Sequence, residues 1–128
     1  MAAYLKELEP LHRLSYTFSS NLDGSFFFAN LGLRVVPVRV DHCADACGVV
    51  FRHDSGWSVV FSGDTRPCME LVSAGHGATL LIHEATFESG MTADANAKMH
   101  STTEEAIDIA KQYVARCYAR THSLPLGV

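Results

Sequence analysis

Residues 78–86 read ATLLIHEAT. Ala78 to Ile82 form a continuous apolar run, the pattern of a strand buried on both faces. His83, Glu84 and Thr86 follow at once. An apolar strand that ends in titratable side chains is how an α/β fold presents chemistry, because the backbone there is rigid yet open to solvent. Upstream, Gly48–Arg52 (GVVFR) and Trp57–Phe61 (WSVVF) read as two strands joined through the turn His53-Asp54-Ser55-Gly56, which predicts a hairpin. Val35, Val36, Val38 and Val40 make a β-branched run, and Pro37 within it points to an edge position. Pro67–Ala74 predicts a short helix stopped by Gly75 and Gly77.

Downstream, Glu88–Ser101 is a polar stretch, and Thr102-Thr103-Glu104-Glu105 then opens a helix. Thr102 can cap the backbone while Glu105, three residues on, returns the hydrogen bond. Ala106, Ile107, Ala110, Tyr113, Val114 and Cys117 recur at helical spacing, so a helix over 102–117 has one apolar face that needs a sheet to cover. Strands alternating with helices give an α/β class with a mixed sheet and covering helices.

The flanks read differently. Residues 1–34 are expected to be a weakly structured lead-in, with a short helix over Ala2–Leu11 and a turn-rich stretch around Ser19–Gly24. Residues 35–117 form the domain, and 118–128 are expected to be an irregular tail without a strand pattern.

With 128 residues the chain holds one domain at most, or part of one. Its 48% hydrophobic content is too high for a disordered tail. The longest greasy stretch, Phe26–Leu33, is broken by Asn30 and Gly32 and falls far short of the about 20 residues a membrane span needs. Ten Lys and Arg against 14 Asp and Glu exclude a nucleic-acid module driven by bulk charge. No secretory leader is expected, since Glu7 and Glu9 lie close to Met1 without a long apolar segment. Cys43, Cys47, Cys68 and Cys117 therefore read as reduced thiols of an intracellular protein. Cys43 and Cys47 stand beside His42, which hints at zinc, but no second pair completes a structural site, so they read as small buried hydrophobes.

Four polar clusters sit at the ends of apolar runs: Asp41-His42, Ser62-Gly63-Asp64-Thr65, His83-Glu84-Ala85-Thr86 and His100-Ser101-Thr102. Singly, each has an ordinary reading: a structural histidine, a turn aspartate, a surface pair, a residue preceding a cap. His12, His53, His76 and His122 are assigned to solvent. Together the clusters fit a hydrolytic metal site. Zinc accepts imidazole nitrogen and carboxylate oxygen, and a carboxylate can sit between two ions. Asp64 is the bridging candidate and His42 a terminal ligand. Glu84 and His100 form a second layer or a proton-donating pair, since a carboxylate bonded to an imidazole fixes its orientation and raises its basicity.

The segments VDHCADACG (40–48), GWSVVFSGDTRPC (56–68), ATLLIHEATFE (78–88) and KMHSTTEEAI (98–107) closely resemble ribonuclease Z, the tRNA 3′-processing endonuclease of the metallo-β-lactamase superfamily. HEAT followed by HST after a short polar loop is the specific part, and the wording is most like the carboxyl half of the long eukaryotic form. The resemblance covers about residues 35 to 115. It implies a partial metallo-β-lactamase αββα sandwich, the carboxyl-terminal half. By it, His42 and Asp64 are metal ligands, Asp64 bridging two zinc ions, and Glu84 and His100 are the catalytic pair that protonates the leaving ribose 3′-oxygen. The implied partner is precursor tRNA, cut after the discriminator nucleotide to leave a 3′-hydroxyl. The implied compartments are mitochondrion and nucleus, with no membrane association.

The departures are equally specific. The family's His-x-His-x-Asp-His motif belongs upstream of position 35, and no His-x-His occurs anywhere in the chain. The last family ligand should follow the helix ending near Cys117, where His122-Ser123 stands in a different context. The family's tRNA-gripping arm is not recognisable either. The chain is therefore expected to be a truncated form, inactive alone. Alternatives are a non-catalytic interaction fragment, pairing as a homodimer or with a complementing half-domain, and another hydrolase of the superfamily such as a thioesterase.

Overall fold

A computed structural model describes residues 18–20, 24–113 and 117–121. Among the described residues seven strands form one sheet in chain order: β1 (Phe18–Ser20), β2 (Phe26–Phe28), β3 (Leu33–Arg39), β4 (Cys47–His53), β5 (Ser58–Phe61), β6 (Leu80–Glu84) and β7 (Cys117–Thr121). β1 to β5 pair antiparallel, while β5–β6 and β6–β7 pair parallel, so the sheet is mixed. Parallel neighbours need crossovers. The first is helix α1 (Met69–Ala74); the second contains α2 (Thr92–Lys98) and α3 (Thr103–Tyr113). Among the described residues no helix is long and apolar enough to cross a membrane.

The β4–β5 hairpin forms as its alternation predicts. Val50 faces Val60, and the turn closes with the Gly56 N–H donating to the His53 carbonyl at 2.8 Å. β3 lies between β2 and β4, but β2 reaches only Leu33–Val35, so Pro37 pairs on the β4 side, opposite Val49. Proline's missing donor is tolerated there because the other edge is free of a described strand.

Cross-strand partners share a face. One face carries Val36, Val50, Val60 and Leu81; Val50, Val60 and Leu81 are at most 1% exposed. They join Val40, Cys68, Leu71, Val72, Ala78 and Ile109 in one core beneath α1 and α3. The opposite face carries Val35, Pro37, Val49, Phe51, Val59, Phe61, Leu80 and Ile82, and none of these eight is buried. It is as apolar as the core face, yet among the described residues no helix packs on it as α1 and α3 pack on the core face.

Several expectations are corrected. The tail begins with strand β7 rather than irregular chain, because pairing along β6 selects the strand where its own pattern, ending in Arg120 and Thr121, does not. The lead-in contains β1, β2 and a 3-10 turn, Ala29–Leu31; β2 is held by register with β3 rather than by length. The polar stretch 88–101 contains α2, whose only buried residue is Ala95. α3 turns Ala106 and Ile109 into the core and leaves Ile107 at 42% exposure. Cys43 and Cys47 are exposed rather than buried, while Cys68 is buried. The predicted helix over Ala2–Leu11 and the histidines His12 and His122, both assigned to solvent, lie outside the described residues.

Candidate metal and acid site

Strand direction brings the four clusters together. β3 and β5 are both antiparallel to β4, and β6 is parallel to β5. The carboxyl ends of β3, β5 and β6 therefore share one edge of the sheet. His42 lies just beyond β3, Asp64 just beyond β5, and Glu84 ends β6. His100 arrives from the other side, between α2 and α3.

The turn that carries Asp64 depends on glycine. Gly63 has φ +63°, and a Cβ there would meet the Cys47 carbonyl oxygen at 2.9 Å. An L side chain would meet both strain and a backbone clash. Ser62 and Thr65 flank the turn, both buried. Ser62 Oγ accepts from the Glu84 N–H at 2.9 Å and donates to the Gly63 carbonyl. Thr65 Oγ1 accepts from the Asp41 N–H at 3.1 Å.

Glu84 is the most connected side chain. Oε1 accepts from the Thr65 N–H at 2.8 Å and meets His100 Nδ1 at 2.8 Å. Oε2 accepts from the Thr86 N–H at 3.1 Å and from its hydroxyl at 2.8 Å. Burial pushes the carboxyl up, but Thr65, Thr86 and His100 outweigh it and hold Glu84 below the usual carboxylate range. It is a buried anion with its lone pairs occupied, so the His100 ring is fixed with Nδ1–H toward Glu84 and Nε2 left over.

His42 uses its Nδ1 in the same way, 2.8 Å from the Met99 carbonyl. The two imidazoles lie 4.7 Å apart, centroid to centroid. His42, Asp64 and His100 each place one ligand-type atom so that all three lie within 4.8 Å of one another. These residues could hold a metal ion. The structure thus brings together His42, Asp64, Glu84 and His100, with Glu84 behind His100 and the other three facing one point.

Reasoning from the sequence missed two supports, Met99 and Arg66, and left His83 as half of a surface pair, whereas it is buried. Met99 presents the carbonyl that orients His42 from a left-handed turn at φ +59°. Arg66 donates to the His100 carbonyl and forms a double contact with Glu105. His83, 1% exposed, faces its Nδ1 to the Glu84 carbonyl, and burial lowers its basicity. All three stood inside the quoted motifs, but no local pattern showed which atoms they support.

The family described as beta-lactamase superfamily domain matches residues 2–123. The chain belongs to this family. Among its relatives, mouse "Zinc phosphodiesterase ELAC protein 2" is 49% identical over 83 residues, covering 65% of this chain and 10% of that protein. "tRNAse Z TRZ4, mitochondrial" of Arabidopsis thaliana is 50% identical over 90 residues, covering 62% of this chain and 10% of that protein. The crystal structure of a long form RNase Z from yeast superposes with a TM-score of 0.63 at 31% identity, over 75% of this chain and 14% of that one. The chain spans about a tenth of the length of the curated relatives it matches. The partial superfamily fold, a mixed sheet with helices, is that expected from the motifs.

Proposed function

We propose that this chain supplies one wall of a zinc-dependent phosphodiesterase centre that processes tRNA 3′ ends, cutting precursor tRNA and leaving a 3′-hydroxyl. The observation that carries the reading is the joint placement of His42, Asp64 and His100 within 4.8 Å of one another, with Glu84 seated behind His100. The names of the similar proteins supply the substrate class: a zinc phosphodiesterase in mouse, a tRNase Z in Arabidopsis.

The donor set fits zinc. His42, its Nδ1 engaged by the Met99 carbonyl, keeps Nε2 for the metal, and the exposed Asp64 carboxylate adds an oxygen donor. Two donors do not close a zinc site, so the remaining ligands come from outside this pair. Bound zinc would supply a Lewis acid for the phosphate and a water of lowered pKa. We assign His42 and Asp64 to hold metal, and His100 to carry the proton that the leaving 3′-oxygen takes up. Glu84 fixes the ring of His100 and balances its charge when both nitrogens are protonated. A thioesterase has no use for this pair, because a thiolate leaves without a proton donor.

The apolar face of Val35, Val49, Phe51, Val59, Phe61 and Ile82 supports a partner that completes the sandwich: a complementing half-domain with an apolar inner sheet, in preference to a homodimer. The chain alone then cleaves nothing. For compartment, the name of the Arabidopsis relative favours the mitochondrion over the nucleus.

The test has two parts. Elemental analysis of the purified chain should find zinc that His42→Ala and Asp64→Asn lose. The chain is then given 3′-extended precursor tRNA, alone and mixed with the amino-terminal half of a tRNase Z. No cleavage alone, and cleavage to a 3′-hydroxyl in the mixture that Glu84→Gln or His100→Ala abolishes, supports the reading. A zinc-binding mixture that forms a complex and cuts no tRNA sinks it.

A further inference from the structure

Arg66 sits among the segments that carry His42, Asp64 and His100. It follows Asp64 by two residues. Its N–H donates to the Asp41 carbonyl at 2.8 Å, which ties down the residue before His42. Its Nη1 donates to the main-chain carbonyl of His100 and to Glu105 Oε2, the latter at 2.8 Å, while Nη2 contacts Glu105 Oε1. Glu105 is anchored in turn: Oε2 accepts from the Thr102 N–H at 2.9 Å, and the Glu105 N–H donates to Thr102 Oγ1 at 3.2 Å. Ser101 Oγ closes the loop on the Thr65 carbonyl at 2.6 Å. The Arg66 side chain is mostly shielded, 16% exposed, which limits competition from water.

We propose that Arg66 is a positioning residue for the metal and acid site: its planar fork locks the His100 main chain to the first turn of α3, and its own main chain locks the His42 loop. The inference rests on the reading of His42, Asp64 and His100 as one site. Geometry favours this role over that of a plain ion pair. An ion pair with Glu105 alone leaves the His100 carbonyl out, whereas here one nitrogen serves both. A lysine has no fork and offers a single point of charge, so it cannot hold both acceptors in one plane. The ring of His100 is restrained at its tip by Glu84 and at its root by Arg66.

The test uses the 128-residue chain and two readouts: the Nδ1–H resonance of His100 without metal, and binding of Co²⁺ with its visible spectrum. The expected result for Arg66→Gln is a broadened or lost Nδ1–H resonance. Its Co²⁺ affinity should fall about 10- to 100-fold, as for other supports behind metal ligands, with an altered spectrum. Arg66→Lys should recover only part, and it stands in if Arg66→Gln does not fold. Val50→Ala, in the core at 1% exposure and outside the site, should lower Tm yet leave the resonance and the spectrum as in the wild type. An Arg66→Gln chain with wild-type resonance and affinity overturns the proposal. So does a Val50→Ala chain that loses both readouts as fully as Arg66→Gln at equal Tm. If the wild-type chain binds no Co²⁺, the metal reading fails, and the resonance alone then decides the role of Arg66.

Discussion

His42 faces its Nδ1 to the carbonyl of Met99 at 2.8 Å, and Met99 stands at φ +59°, the one non-glycine residue in that region among those described. Its N–H closes α2 by donating to the Asn96 carbonyl at 3.3 Å. A left-handed L residue costs roughly 1–2 kcal/mol. Met99→Gly should therefore stabilise the chain by about 0.5–1 kcal/mol, net of the entropy glycine loses on folding. Chemical denaturation checks it. A destabilised variant would mean that the half-exposed methionine side chain contributes more than the turn costs.

Glu84 is irreplaceable by a smaller residue. Glu84→Ala leaves the Thr65 and Thr86 N–H groups without their carboxylate acceptors, and each unpaired buried donor costs about 1–3 kcal/mol. We expect a loss of about 2–4 kcal/mol in unfolding free energy. Glu84→Gln keeps an acceptor oxygen and should cost less. Equal losses in the two variants would show that shape, not hydrogen bonding, sets the requirement.

Acid should weaken the fold through Glu105 as well as Glu84. Burial raises Glu105, but Arg66 and the Thr102 cap outweigh it, so its folded carboxyl lies below the ordinary value of 4.5. A depressed carboxyl contributes stability that is present above the unfolded value and is lost as pH falls through the folded one. Tm should therefore drop as pH falls below about 4.5. Glu105→Gln should start from a lower Tm at neutral pH and show a shallower drop. Parallel curves for wild type and variant would remove Glu105 from the acid transition.

The two faces of the sheet should respond oppositely to substitution in the isolated chain. Leu81→Ala, at 0% exposure in the core, should cost about 2–5 kcal/mol. Phe61→Ser, at 42% exposure on the other face, should cost under about 1 kcal/mol. It should also reduce self-association, since it breaks an exposed apolar surface. Light scattering and denaturation of both variants check the pair of outcomes.

Much of the local structure was legible in the sequence because it depends on neighbours in the chain. The hairpin at 53–56, the buried strand ending at Glu84 and the reciprocal Thr102–Glu105 cap follow from alternation, turn residues and spacing. The candidate site residues were legible too, as polar groups at the ends of apolar runs. Strands β2 and β7 and helix α2 were not, since their residues carry weak patterns of their own. Phe26–Phe28 pairs with Leu33–Val35, and Cys117–Thr121 takes its shape from β6.

What the sequence determined by itself was the class of fold and which residues could do chemistry. Tertiary structure decided which of them meet. His42 and His100 are 58 positions apart, and Arg66 and Glu105 lie 39 apart; no local pattern encodes such distances. They meet because β3, β5 and β6 run in one direction and deliver their carboxyl ends to one edge, and because α3 is docked across β6 by Ala106 and Ile109. Burial also split two apolar faces that read alike in the sequence. Val60 and Phe61 are adjacent and both apolar, yet alternation sends one beneath the helices and the other to the open face.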